Sequence, residues 1–486
     1  MVEDEGITRR NFLAGIGALA ASPLISKAAT LGLPAKPVSA TKKILTARID
    51  KEEEDKAVRK YLDLIRNCQI AETPADDFNS DKITKTAEAI GAIALQVDPN
   101  VVWVSPAFGS YAALGMLTAY DSRHGTDEDV KRVARWLKWY ANHEVKEDTT
   151  LLDIIDRKHV LFPAGSISDY VGSRNIDIDV PVEGGGYMHV QGGKFIPNGH
   201  IDSHDSTAGI FLALAERYQR VRSKLPKEKA GLKAELDRII KPNELYAAAR
   251  PAVDLLQKLS QDNKDGMTSA GLSDHVYYLM DNIESYAGMR AGADLFANAG
   301  DTQDATLNEE NKRCAKLSTQ MYRKLAANMH KFHDAENAHY HWYTFGHGHY
   351  GDDYRYEAND RRHPHDPLYP QPMAGLYGLA FDIPDHKAFT ALESKFKNDY
   401  DLNPAAHPIA PAGRWLAAAM ASGTPEQKEY WRHKTIQAAD HDSGATAAAL
   451  NLLALTDEHY FHSVAQEMNA GKPGSPPLSP KHGREY

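Results

Sequence analysis

Asp202 and Asp205 lie three residues apart in the run Asn198-Gly199-His200-Ile201-Asp202-Ser203-His204-Asp205-Ser206-Thr207. The run follows a Gly184-Gly185-Gly186 turn and leads into Thr207, Phe211, Leu214 and Tyr218, which recur at helical spacing. Two carboxyls this close repel one another when both are ionised, which raises one pKa and leaves a proton donor beside an acceptor. At a loop-to-helix junction such side chains can face a cleft beside unpaired backbone N–H groups. Asp205 is the better candidate for the acid and Asp202 for its partner. Asp, Ser and Thr also cap helices, so one or two of these residues are accounted for by orphan backbone donors. A single cap does not use Asp202, Ser203, His204 and Asp205 together.

Asp281 and Glu284 form a competing pair, with Asn282 between them as a polar contact. An Asp that opens a helix and a Glu three residues later also resemble a capping box. Asp169, beside Tyr170 in a loop, suits a contact to a hydroxyl group. Tyr170, Tyr187, Trp342, Tyr343 and Tyr350 lie in long loops and offer flat apolar faces, whereas Trp136 and Trp139 sit on a helix and read as core. His333 to His365 hold seven of the chain's 22 histidines, including His347-Gly348-His349. They lack HExxH or another fixed ligand spacing, and no metal is expected. No GxGxxG or P-loop follows a strand, so no nucleotide cofactor is expected.

The elements that must position these residues are mostly helices. Apolar residues recur at three and four over 52–70, 81–96, 106–120, 126–143, 205–222, 227–240, 243–259, 281–298 and 302–333. The pattern resumes over 373–381, 387–400, 412–421, 425–440, 444–455 and 458–468. Val101 to Val104 is a short extended run. Residues 144–204 break the helical pattern with β-favouring pieces (160–162, 175–182, 187–190) between glycine turns, and 339–372 is a second irregular stretch. Long irregular loops in a helical protein usually carry function. A dozen or more helices with short turns, no βαβ alternation and no strict repeat fit a closed ring of helical hairpins.

A hydrophobic content of 42% with 25% charged residues is that of a globular chain able to bury a large core. The formal net charge of −10 and the absence of a basic stripe argue against a nucleic-acid surface. Beyond the N-terminus nothing approaches the roughly 20 apolar residues of a membrane span. Arg9-Arg10-Asn11-Phe12-Leu13 ahead of the modestly apolar Ala14 to Ile25 is the pattern of a twin-arginine export signal. Residues 1–40 are therefore expected to address the chain to the twin-arginine machinery and on to the periplasm or exterior of a bacterium. The expected catalytic body is 41–470, followed by a tail over 471–486 rich in Pro, Gly and Ser and expected to lack order. Cys68 and Cys314 have neither CxxC nor metal-ligand spacing; one disulfide or two buried thiols both fit.

Gly165–Tyr170 (GSISDY), Ile201–Leu212 (IDSHDSTAGIFL) and Tyr278–Met289 (YLMDNIESYAGM) together resemble successive inner-rim segments of bacterial six-hairpin glycosidase-like proteins. The resemblance covers about residues 80 to 465 and departs from the usual pattern at His204 and Thr207-Ala208-Gly209. It implies an (α/α)6 toroid with a carbohydrate cleft at one end, and a hydrolase that commonly inverts the anomeric centre with two carboxylates. That chemistry needs one protonated and one ionised carboxyl, to be drawn from Asp202, Asp205, Asp281 and Glu284. Helical toroids also host polysaccharide lyases, for which His204, Tyr343, His347 and Arg355 offer a base and a group to neutralise a uronate. A carbohydrate-binding protein without catalysis is the third reading.

Overall fold

A computed structural model describes residues 51–70, 89–95, 101–153, 158–173, 178–182, 186–190, 195–201, 203–272, 276–299, 304–334, 339–344, 350–351, 371–379, 386–402, 411–440 and 444–456. The helices, in chain order, are α1 (Lys51–Cys68), α2 (Pro106–Asp121), α3 (Asp127–His143), α4 (His204–Ser223), α5 (Ala230–Ile239), α6 (Pro242–Ser260) and α7 (Leu279–Ala297). They continue with α8 (Ala305–Met329), α9 (Gln371–Tyr377), α10 (His386–Leu402), α11 (Pro411–Ser422), α12 (Pro425–Ala438) and α13 (Ala445–Thr456).

Their packing closes a ring. α2 packs on α4, α4 on α7, α7 on α9, α9 on α11, α11 on α13, and α13 back on α2. Around these six inner helices lie α1, α3, α6, α8, α10 and α12, each packed against the inner helix that precedes it around the ring. The chain thus alternates outer and inner helices, and the result is an (α/α)6 toroid as the periodicity predicts. The short α5 is an extra outer piece against α3.

The two layers differ in sequence for a physical reason. Outer helices touch the ring on one side only, so they are amphipathic: α1 buries Ala57, Val58, Tyr61, Leu62, Ile65 and Cys68 along one stripe. Inner helices are enclosed on most sides, and α2 is buried continuously from Pro106 to Ala119 while α13 is buried from Ala447 to Leu455. The shared interior includes Trp136, Trp139, Trp415 and Trp431, the first two as expected for core.

Short strands gather where outer helices hand over to inner ones. β1 (Val101–Val104) precedes α2, and between α3 and α4 come the hairpin of β2 (Thr149–Asp153) and β3 (Lys158–Phe162), then β4 (Tyr170–Ser173), the hairpin of β5 (Ile178–Val182) and β6 (Gly186–Val190), and β7 (Phe195–Pro197). Of these, β1, β4 and β7 make one antiparallel sheet in that order. β8 (Tyr277–Tyr278) lies just before α7; after α8, β9 (His333–Asp334) pairs with β10 (His339–Tyr340), and β11 (Tyr343–Thr344) pairs with both β8 and β12 (Tyr350–Gly351). Leu95 joins the start of α13 to the same region, because its carbonyl accepts from Ala445 N at 2.7 Å while its N–H donates to Trp103 O at 2.8 Å. The N-termini of the inner helices therefore collect at one end of the ring. That end carries the positive ends of their dipoles and favours acidic side chains in the first turns.

One expected element is corrected. Of the helix predicted over 81–96, residues 89–95 form a turn and an isolated bridge between Gln69 and Ile93, with Gly91 at φ 93°. Their hydrogen bonds run to the end of α1, with Ile70 N to Ala92 O at 2.9 Å and Ala94 N to Cys68 O at 2.9 Å. Tertiary pairing overrides the local period there. The expected signal segment 1–40, the tail 471–486 and the predicted helix 458–468 lie outside the described residues. Cys68 and Cys314 are buried thiols and form no disulfide.

Candidate active site

Asp205 occupies the second position of α4, and Asp281 the third position of α7 on the neighbouring inner helix. A single hydroxyl joins them. Ser203, the N-cap of α4, lies within hydrogen-bond distance of Asp205 Oδ1 and at 3.0 Å from Asp281 Oδ2. A serine hydroxyl carries one proton, so it donates to one carboxyl and accepts from, or yields to, the other.

Burial pushes the Asp205 carboxyl well above the usual carboxylate range, and the nearby Asp281 charge pushes it further. The donors around it act the other way without prevailing: Ser203, Thr268 Oγ1 at 2.7 Å on Oδ2, and Ser206 N–H at 2.9 Å on Oδ1. Thr268 can accept from a protonated Oδ2, because its own proton has an acceptor in Ser285 Oγ at 2.9 Å. The geometry therefore accommodates a proton on Asp205 Oδ2, with Oδ1 left to the Ser203 bridge toward Asp281.

Asn282 fixes Thr268 rather than facing outward. Its Oδ1 accepts from Thr268 N at 2.8 Å, and its Nδ2 donates to Thr268 O at 3.0 Å and to Tyr278 O at 2.9 Å. The amide expected to contact substrate is thus committed to holding the loop 263–270 against α7.

Glu284 lies one turn deeper on α7. Tyr111 Oη of α2 donates to its Oε1 at 2.5 Å, Tyr377 Oη of α9 donates to the same oxygen at 3.1 Å, and Ser206 Oγ donates to Oε2. Four inner helices converge on this carboxylate. Arg414, in the first turn of α11, reaches Tyr377 Oη with a terminal nitrogen at 3.5 Å and holds its guanidinium 5.4 Å from the centre of the tyrosine ring. Neither Asp281 nor Glu284 serves as a helix cap, since α7 starts at Leu279 with Tyr278 at the N-cap position and no side-chain cap bond.

The remaining sequence candidates fall in three places. Asp202, His347 and Arg355 lie outside the described residues, as do the side chains of Tyr187 and Tyr350; the Tyr187 backbone pairs with Pro181 in the hairpin of β5 (Ile178–Val182) and β6 (Gly186–Val190). Asp169 and Tyr170 sit on the run into α4, and His204 is its first residue. Asp169 is buried, with its backbone paired to His200 and Asn198. Tyr170 stacks on Phe195 at 5.2 Å and meets Trp139 edge-on at 5.4 Å. His204 is buried edge-on to Phe162, and burial lowers its imidazole to about 4, so it is neutral at ordinary pH. Trp342 and Tyr343 buttress the start of α7: Trp342 stacks on Tyr278 at 5.6 Å and its carbonyl accepts from Leu279 N at 3.0 Å.

Sequence reasoning did not single out Thr268, Tyr111, Tyr377 or Arg414. Their signal is a lone polar or charged side chain within a segment otherwise small and apolar, as Arg414 is in Pro411–Ser422. Among the described residues no group of three or more His, Cys, Asp or Glu is arranged to hold a metal ion. No helix among the described residues is long and apolar enough to cross a membrane.

The chain matches no protein-family model and no curated protein. Among solved structures it is similar to two point mutants of a reducing-end-xylose releasing exo-oligoxylanase, at 10% and 9% identity with TM-scores of 0.39 and 0.37. Each alignment covers 86% of this chain and 94% of that one. So weak an overlap says nothing of function; the toroid stands on the chain's own helix packing.

Proposed function

We propose that the chain is a glycoside hydrolase acting on a poly- or oligosaccharide by carboxyl acid–base catalysis. The observation that carries this is the Asp205–Ser203–Asp281 bridge, with Asp205 shifted toward its protonated form beside a second carboxyl. Cleaving a glycosidic bond needs a carboxylic acid to protonate the leaving oxygen and a carboxylate to activate water or attack the anomeric carbon. In this reading Asp205 is the acid and Asp281 the carboxylate partner. Asp202 remains a second candidate partner from its spacing. Glu284, tied to three hydroxyls, orders the floor of the site. Inversion of the anomeric centre is carried over from the sequence resemblance.

Asp205, Asp281 and Glu284 are only 0%, 1% and 2% exposed, so a sugar reaches them after an opening of the ring end. The same burial supports a second reading, a toroid that binds glycans and keeps the polar cluster for structure. Export through the twin-arginine route is proposed from Arg9-Arg10 and the weakly apolar segment behind them.

The test is a polysaccharide screen with the chain lacking residues 1–40, read by new reducing ends and by near-ultraviolet absorbance. Reducing ends without absorbance support the hydrolase. Absorbance of an unsaturated uronide supports a lyase, and binding without either product supports the second reading.

A further inference from the structure

We infer that Arg414 anchors an anionic substituent of the substrate, so that the preferred glycan carries a carboxylate, as hexuronates do. The inference rests on the glycan reading of the same site and names the class of sugar. Arg414 is half-buried at the ring end where the inner helices start. Its Nε is buried with no hydrogen-bond partner, and its contacts among the described residues are the long bond to Tyr377 Oη and the face of that ring. No carboxylate among the described residues pairs with it, although surface arginines of this protein commonly find one, as Arg313 does with Asp254 at 2.6 Å.

A guanidinium is a planar fork built for two parallel bonds to a carboxylate, and a desolvated donor left without a partner is costly. Tyr377 Oη accepts from Arg414 on one side and donates its hydrogen bond to Glu284 on the other, so it stands between the guanidinium and that carboxyl. A uronate entering beside this cluster of acidic side chains would otherwise be repelled by its negative charge, and Arg414 offsets one unit of it.

The experiment compares hexuronate oligomers (galacturonate, glucuronate and mannuronate) with their methyl esters, which keep the ring and remove the charge. Binding is measured by calorimetry to the wild type and to Arg414→Gln and Arg414→Lys, with product assays run in parallel. The expected result is that at least one hexuronate binds, that esterification weakens it on the order of 10- to 100-fold, and that Arg414→Gln does the same while Arg414→Lys keeps part of the affinity. Ester oligomers or neutral glycans binding as well as the free acids would overturn the inference. So would an unchanged hexuronate affinity in folded Arg414→Gln; if that variant does not fold, the ester comparison decides alone. Hydrolysis of neutral glycans only would sink this inference and leave the hydrolase standing. Arg414-dependent hexuronate binding without turnover would do the reverse.

Discussion

Gly209 of α4 and Gly288 of α7 lie back to back where the two inner helices cross. A Cβ on Gly288 would fall 2.2 Å from Gly209 O, and one on Gly209 would fall 2.5 Å from Glu284 O. Both obstacles are backbone, which cannot swing aside. This contact brings Asp205 and Ser206 of one helix against Asp281 and Glu284 of the other. Gly288→Ala is expected to destabilise the fold by about 2–3 kcal/mol through overpacking. Gly231→Ala, with nothing within 4 Å of its Cβ, is expected to be neutral or to stabilise by about 0.5 kcal/mol. Thermal melts of the two variants check the contrast, and equal midpoints would show that the crossing is looser than described.

Removing hydroxyl donors tests the network without adding charge. Tyr111→Phe and Tyr377→Phe each take one bond from Glu284, and each is expected to cost about 1–3 kcal/mol because the carboxylate stays buried. Ser203→Ala removes both the N-cap and the bridge between the aspartates. The cap alone is worth about 1 kcal/mol, so a larger loss in chemical denaturation measures the bridge.

Two buried groups give stability opposite pH dependences. Burial pushes Glu144 up to about 7 despite Lys146 at 2.6 Å, so its folded pKa exceeds its unfolded value of 4.5. Its contribution is complete below pH 4.5 and is lost as pH rises toward 7, by roughly 3 kcal/mol. His204, lowered to about 4 from 6.5, contributes fully above pH 6.5 and loses a similar amount as pH falls toward 4. Glu144→Gln should therefore raise stability at neutral pH relative to pH 4.5. Denaturation curves at both values check it, and a parallel shift at both would refute the assignment.

Cys68 and Cys314 are expected to resist thiol reagents in the native state and to react on unfolding. Both are buried, and burial pushes the Cys314 thiol up to about 11, leaving almost no thiolate. Rapid native labelling of both would contradict their placement.

Much of the ring was legible in the sequence because helical period and caps are local. The outer stripe of α1 and the Thr126 cap of α3 are written in neighbouring residues. The pairing of the carboxyls was not, because it depends on which inner helices cross. Spacing points to Asp202, which lies outside the described residues, as a partner of Asp205; the Asp281 charge that also acts on Asp205 comes from 76 residues on in the chain, which no spacing announces. The capping alternative for Asp281 and Glu284 failed for a related reason: strand pairing of Tyr278 with Tyr343 moved the helix start to Leu279. The helix predicted over 81–96 gave way, at 89–95, to hydrogen bonds with the end of α1, which no local pattern announces.

The most direct measurement of the central claim is kcat/KM on the best substrate of the screen for wild type, Asp205→Asn and Asp281→Asn, each confirmed folded by its melt. The account predicts that each amide lowers kcat/KM on the order of 10²–10⁴-fold, with the double variant little worse than either single one. Activity within a few-fold of wild type in folded Asp205→Asn would contradict it.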